Sequence, residues 1–277
     1  MTLLFYGKSV GYLYPDNQAY ELVYRNINGE NTEIDWWRED GDRVKTIEKS
    51  NCVDLCIRDF ASIFESKLPT LSRLYIDCNE NGYKRIQKAL ESSAKTPMKV
   101  EFLYLVITSQ EDAMEILPFI CPKALHYLRI RGTAGDLDLS KVVETEQWKK
   151  AKQFTDNRPP VRAGIHNFEN FETASVLFDE LTTEDVRKVK ESFLNCSSTT
   201  KYLKIFSRHF PDRNGLIELL GRPYRYRDRR GNLRRSRWFF RRPTKRVLVI
   251  ELSEDPQFID FKIHTLAKAR KMARALY

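Results

Sequence analysis

The sequence predicts an α/β chain whose middle alternates strand and helix between two β-rich ends, and three observations predict it. First, a six-residue pattern, Leu71-Ser-Arg-Leu74-Tyr-Ile76, returns as Val100-Glu-Phe-Leu103-Tyr-Leu105 and as Leu125-His-Tyr-Leu128-Arg-Ile130. A fourth copy, Thr200-Lys-Tyr-Leu203-Lys-Ile205, keeps the last two apolar positions. Second, Val53, Leu55, Cys56, Phe60, Ile63 and Phe64 approximate the 3.6-residue spacing of an amphipathic helix, after which strand and helix alternate. Third, both ends are rich in aromatic and β-branched residues punctuated by turn-forming pairs.

The copies start 29 and 25 residues apart, and the gap of 75 before the fourth has room for two degenerate copies. An apolar-x-x-apolar-x-apolar strand at a period of roughly 20–29 residues is the mark of leucine-rich repeats. The expected fold is therefore α/β, an irregular leucine-rich-repeat-like array of strand–helix units. An antiparallel β meander precedes it and a β-rich end follows. Irregularity is expected because the turn asparagine of regular repeats is present only as Asn79, with Thr108, Thr133 and Arg208 in the other copies. One unit cannot bury its own apolar face, so stacked units present a surface for holding something.

Residues 1–50 read as the meander or cap. Val10–Tyr14 and Tyr20–Arg25 are strand-like and separated by Pro15-Asp16-Asn17, while Asn28-Gly29 and Asp40-Gly41 are turn signals on either side of Trp36 and Trp37. Residues 51–221 form the array. A helix is expected from Cys52 towards Pro69, then others near Tyr83–Ser93, Glu111–Ile120 and Lys141–Lys152. After a strand at Phe171–Phe178, Thr182-Thr-Glu-Asp185 has the form of a helix start, with Thr182 as cap. Strand Tyr202–Phe206 and a helix after Pro211 close the array. Residues 222–277 begin with a hairpin, Tyr224–Arg227 and Arg237–Phe240 flanking Arg230-Gly231-Asn232, and continue with strands Arg246–Glu251 and Phe258–Ile263. A basic helix, Leu266 to Tyr277, ends the chain and is expected to pack with its neighbours on the same domain.

At 277 residues, with 42% hydrophobic and 31% charged, the composition is globular. The longest apolar run, Phe102 to Ile107, is far short of the roughly 20 residues needed to span a bilayer. The opening Met1–Lys8 has no basic leader, so no membrane association is expected and a cytoplasmic or nuclear location is. Five cysteines suit a reducing compartment. Cys52 and Cys56 share a helix face, but no second pair at ligand spacing accompanies them, so buried thiols are expected and no metal or cofactor. His126, His166, His209 and His264 are scattered, and no nucleophile, phosphate-loop or dinucleotide motif is present. The expectation is a chain that is not an enzyme.

Two candidate surfaces remain. Alternation along the repeat strands turns Arg73, Tyr75 and Asp77 away from the apolar pair, and likewise Phe102, Tyr104 and Val106, then Tyr127, Arg129 and Arg131, then Tyr202, Lys204 and Phe206. Tyr, Phe and Arg dominate protein interfaces, so Arg73, Tyr75, Phe102, Tyr104, Tyr127, Arg129, Arg131, Tyr202 and Lys204 are expected to bind a protein partner. The opposing reading covers this face and makes the rings ordinary core. The second surface is charge. Residues 222–246 carry +11 against +9 for the whole chain, so the rest sums to −2. Arg225, Arg227, Arg229, Arg230, Arg234, Arg235 and Arg237, interleaved with Tyr224, Tyr226, Trp238, Phe239 and Phe240, have the ingredients for an anion or nucleic acid. The plainer reading is a solvated hairpin with its aromatic side packed inward.

One further block, Glu144-Thr-Glu146-Gln147-Trp148-Lys149-Lys150-Ala151-Lys152, places Trp148 and Ala151 three apart on a helix where both can face a core. As a string it resembles the Glu-Gln-Trp-Lys-x-Ala-Lys block of the nematode FTH domain family, found downstream of F-boxes. The resemblance continues at Ile116-Leu117-Pro118-Phe119, at His166-Asn-Phe168-Glu-Asn-Phe171, at Thr183-Glu184-Asp185-Val186 and at Phe239–Pro243 followed by Val247-Leu-Val-Ile250. It runs from about Asp54 to Ile263, and the first fifty residues resemble the connection between F-box and FTH domain. It implies an adaptor: F-box proteins dock on a Skp-type subunit of a cullin ubiquitin ligase while the downstream domain recruits the substrate. Nothing before Cys52 reads as the compact helices of an F-box, so the recruiting role is what the resemblance carries here, and a Skp-type partner is in doubt.

Overall fold

A computed structural model describes residues 2–5, 9–13, 19–27, 31–37, 43–65, 70–78, 80–133, 135–156, 159–198, 201–227, 233–243, 245–254 and 257–274. Asn79, the turn signals at 15–17, 28–29 and 40–41, and Arg229 to Asn232 lie outside the described residues. The chain forms two compact units, Met1–Ala151 and Lys152–Tyr277.

The first unit opens with five strands, β1 (Thr2–Phe5), β2 (Ser9–Leu13), β3 (Ala19–Ile27), β4 (Asn31–Trp37) and β5 (Arg43–Ile47). Then come α1 (Cys52–Glu65), β6 (Leu71–Asp77), α2 (Glu80–Ser93), β7 (Val100–Ile107), α3 (Gln110–Met114), β8 (Tyr127–Gly132), the short β9 (Leu137–Asp138) and α4 (Glu146–Lys150). Sheet order in this unit is β8-β7-β6-β1-β2-β3-β4-β5. The meander is antiparallel, as expected, and β1 joins it to β6 by a parallel ladder. The first three repeat copies are β6, β7 and the chain around β8. These strands are parallel neighbours.

Their apolar pairs, Leu74 with Ile76, Leu103 with Leu105 and Leu128 with Ile130, are fully buried. Each side chain contributes about 1.5–3 kcal/mol by leaving water. On α2, Tyr83, Ile86 and Leu90 are also fully buried. The Tyr83 hydroxyl lies 2.9 Å from the carbonyl of Val106 and 3.1 Å from that of Ile76, so one donor ties α2 to two neighbouring strands. Burial pushes this phenol well above its ordinary range, keeping that donor protonated. Cys52 and Cys56 are buried on α1, and burial raises the Cys56 thiol, so it stays protonated.

Two helices are shorter than their spacing predicts. The segment Glu111–Ile120 is helical only to Met114, followed by a 3-10 turn over Leu117–Phe119. Pro118 has no N–H for the carbonyl four residues back, and its ring would clash there. The segment Lys141–Lys152 breaks at Thr145, whose backbone is extended and whose hydroxyl accepts from the Trp148 amide at 3.2 Å, restarting the helix as α4.

The second unit comprises β10 (Gln153–Asp156), β11 (Val161–Arg162), β12 (Thr173–Glu180), α5 (Thr183–Asn195), β13 (Tyr202–His209), α6 (Arg213–Leu220), β14 (Tyr224–Arg227), β15 (Leu233–Arg241), β16 (Arg246–Glu254), β17 (Gln257–Thr265) and α7 (Leu266–Arg274). Sheet order here is β10-β12-β13-β17-β16-β15-β14. β10, β12 and β13 are parallel, and antiparallel ladders follow. β10 and β12 occupy the 75-residue gap between third and fourth copies. The fourth copy, β13, lies between β12 and β17, so the four copies are not four consecutive neighbours. At the start of α5, Thr182 and Asp185 exchange the two bonds expected of them, at 3.1 and 3.0 Å. Gly221 ends α6 with φ of 84°, a conformation that strains any residue with a Cβ. The architecture is mixed α/β. Among the described residues no helix is long and apolar enough to cross a membrane.

Candidate functional site

Parallel in-register pairing converts the outward residues of β6, β7 and β8 into rows. Arg73 pairs with Phe102 and Phe102 with Tyr127; Tyr75 pairs with Tyr104 and Tyr104 with Arg129. In the first row the Phe102 and Tyr127 rings stack at 4.4 Å and 13°, and the Arg73 guanidinium lies 5.7 Å from the Phe102 centroid. In the second, Tyr75 meets Tyr104 edge-on at 4.6 Å, and Arg129 sits 4.5 Å over the Tyr104 ring. The Tyr75 hydroxyl donates to Asp77 at 3.1 Å. The third row is Asp77, Val106 and Arg131, of which Val106 is buried. The rings in these rows are half-buried, and Arg73 and Arg131 are exposed.

Such ring pairs contribute about 0.5–1.5 kcal/mol beyond burial, and exposed cation–π contacts about 0.5–1 kcal/mol. The rows are therefore fixed before any partner arrives, which lowers the ordering cost of binding.

The remaining predicted pair, Tyr202 and Lys204, belongs to the second unit. There Tyr202 pairs with Lys262, Lys204 with Asp260 and Phe206 with Phe258. The Lys262 ammonium lies 4.5 Å over Tyr202 and donates to Asp260 at 2.9 Å. Lys204 sits 3.7 Å from the Phe258 centroid. Burial, then Asp260 and Glu251, pushes the Tyr202 phenol up to about 12.

In the Arg-rich hairpin β14 and β15 are antiparallel, with Tyr224 opposite Arg237 and Tyr226 opposite Arg235. These four share a face, and the tyrosines are 41% and 46% exposed. Arg235 pairs with Glu251 at 3.1 Å, and Arg237 is bonded to the same buried carboxylate. Arg242, 2% exposed, donates to the carbonyls of Leu194, Cys196 and Ser198, closing the C-terminal end of α5. Trp238 is buried and gives its indole N–H to Gly221 at 2.7 Å; Phe239 packs with α7, and Phe240 lies under Lys190 at 4.3 Å. Arg225 is exposed, Arg234 is half-buried, the Arg227 side chain is not described, and Arg229 and Arg230 lie outside the described residues.

The block Glu146–Ala151 is a packing element. Trp148 is fully buried, Ala151 is buried, and the buried Gln147 donates its side-chain amide to the Ile120 carbonyl at 2.8 Å. Among the described residues no three His, Cys, Asp or Glu side chains gather as a metal site would need.

These elements define a mixed α/β domain. Residues 80–219 match the family model described as the FTH domain, and the chain belongs to that family. It is also 26% identical over 195 residues to F-box A protein 224 of Caenorhabditis elegans, covering 67% of this chain and 50% of that protein. The chain thus spans about half the length of the curated relative it matches. No solved structure matches. The family match runs from α2 through β13 into α6, while the N-terminal meander, β6 and the Arg-rich hairpin fall outside it.

Proposed function

We propose that this chain is a non-enzymatic protein-interaction module that recruits a protein partner, as the substrate-binding part of F-box adaptors does for cullin ubiquitin ligases. One observation carries the reading: the rows Arg73–Phe102–Tyr127 and Tyr75–Tyr104–Arg129 present prestacked rings and guanidinium groups on a half-exposed face. Tyr202 and Lys204 would add a second patch of the same composition. The parallel pairing of β6, β7 and β8 supports it by lining such residues up across neighbouring strands. The reading expects a cytoplasmic or nuclear chain.

The test pairs Tyr104→Ala with Tyr127→Ala in affinity capture from native extract. Expected is loss of a specific partner at an unfolding midpoint close to wild type; equal loss of stability and binding would assign the rings to the core. Recovery of Skp-type and cullin subunits with that partner would place the chain in a ligase.

A second reading, nucleic-acid binding by residues 222–246, is favoured by the exposed Tyr224, Tyr226 and Arg225. Phosphate contacts make affinity fall steeply with salt. RNA affinity unchanged by neutralising Arg229, Arg230, Arg234 and Arg235 would end that reading.

A further inference from the structure

Where β17 runs into α7, the side of the second unit holds an open concavity of about 390 Å³. Tyr202, Arg246, Lys262, His264, Thr265 and Lys268 line it, and no carboxylate does. The strands end together here. Tyr202 lies opposite Lys262, with His264 two residues beyond on the same face, while Arg246 and Thr265 pair on the other face at the sheet's end. The chain then enters α7, whose Leu266, Ala269 and Met272 pack on Val247 and Val249 and thereby hold Lys268 at the rim. Lys201 also contributes to the wall, and its ammonium donates to the Glu169 carbonyl at 2.6 Å.

The charges around this space do not balance. Lys262 is paired with Asp260 at 2.9 Å. Among the described residues no carboxylate pairs with Arg246 or Lys268. The hydroxyls are poised to donate: Tyr202 is held protonated, and Thr265 uses a lone pair to accept the Lys268 amide at 3.2 Å, leaving its own proton free. The first turn of α7 adds the positive end of a nine-residue helix. The His264 imidazole is pushed down by burial and then by Lys268, Lys262 and Arg237, against a smaller opposing pull from Glu251. The space is too large for a bare ion alone and falls within the range of small-ligand sites, roughly 300–1,000 Å³.

We propose that this concavity binds a phosphate monoester, with Arg246 and Lys268 supplying charge and Tyr202 and Thr265 supplying hydroxyl donors. Such a group is borne by a phosphorylated serine or threonine of a peptide or by a small phosphorylated metabolite. The site shares no residue with the aromatic rows of the first unit, so it can fail without them and they without it, although Tyr202 also belongs to the second patch proposed above.

The experiment follows the four histidine C2–H signals of the full chain by NMR, with His264→Gln identifying one. Sulfate serves as a dianion that does not itself titrate in this range. Bound sulfate should raise the His264 midpoint by about one pH unit, since a nearby opposite charge favours the imidazolium. Calorimetry with O-phosphoserine and with a phosphoserine peptide should then show binding absent from the unphosphorylated peptide. Arg246→Gln with Lys268→Gln should weaken it roughly tenfold or more. Binding of O-phosphoserine but not the peptide identifies a metabolite; binding of both identifies a peptide. A His264 midpoint indifferent to sulfate, or phosphoserine affinity unchanged in the folded double variant, overturns the proposal. The wild-type titration decides it even should the double variant not fold.

Discussion

The aromatic rows of the first unit and the hairpin of the second are built from the same residues, arginine and rings on alternating strands, yet they satisfy them differently. Arg73 and Arg129 lie over rings, so they are held in place while their charge stays uncompensated. Arg235 and Arg237 converge on Glu251, a carboxylate nearly removed from water, and Arg242 is consumed by the end of α5. A cation over a ring remains available to an acidic partner; a cation on a buried carboxylate is part of the fold. The local charge of a segment therefore does not measure its capacity to bind, because each acid elsewhere in the chain can claim an arginine.

The sharpest way to break this contrast is Glu251→Gln. It leaves the largely buried Arg237 guanidinium without its counter-charge, and breaking a buried pair from one side costs about 3–5 kcal/mol. Urea unfolding should show that loss. A change below about 1 kcal/mol would mean that the hairpin arginines are not structural and would revive them as a free cationic surface. Next in size is Arg242→Met, which keeps much of the stem but removes the donors to three carbonyls of residues 194–198; about 2 kcal/mol is expected from orphaning them. The smaller effect belongs to the rows themselves. Tyr75→Leu retains apolar bulk but loses the edge-on contact with Tyr104 and the bond to Asp77, so about 1 kcal/mol is expected. A loss as large as that of Glu251→Gln would erase the distinction between the two regions.

The contrast also marks what was legible in the sequence. The apolar pairs of the repeat predicted β6, β7, β8 and β13, and the Thr182-x-x-Asp185 start of α5 was readable because capping is a contact between near neighbours. The rows followed from alternation, because a period of two assigns each residue a face. Four things were hidden. The parallel ladder from β1 to β6 spans some seventy residues and leaves no local signature. Pro118 and Thr145 were visible, but the periodicity around them was strong enough to conceal the breaks they impose. The fate of the hairpin arginines depended on Glu251, whose apolar surroundings in Arg246–Glu251 gave it the look of a strand end. The concavity near α7 was equally hidden, since Tyr202, Arg246 and Lys268 are brought together only by the β13–β17–β16 order.

The least energetic prediction uses His264, where burial and neighbouring cations act on a titrating group. Its pKa is lowered in the fold, chiefly by burial and then by Lys268, Lys262 and Arg237. The stability tied to the neutral imidazole is thus complete above the ordinary histidine value near 6.5 and is lost as pH falls from there through the folded-state value, because the unfolded chain takes up the proton first. Asp260 runs the other way: burial raises its carboxyl, so its contribution is present below the ordinary carboxylate range and lost as pH rises through the raised value. The two are separated by comparing wild type with His264→Gln rather than by one pH ramp. Between about pH 7.5 and 5.5 the wild-type midpoint should fall by more than that of the variant. Parallel curves would show that the cations around His264 are screened by solvent, and the concavity would then lack the uncompensated charge that sets it apart from the paired arginines of the hairpin.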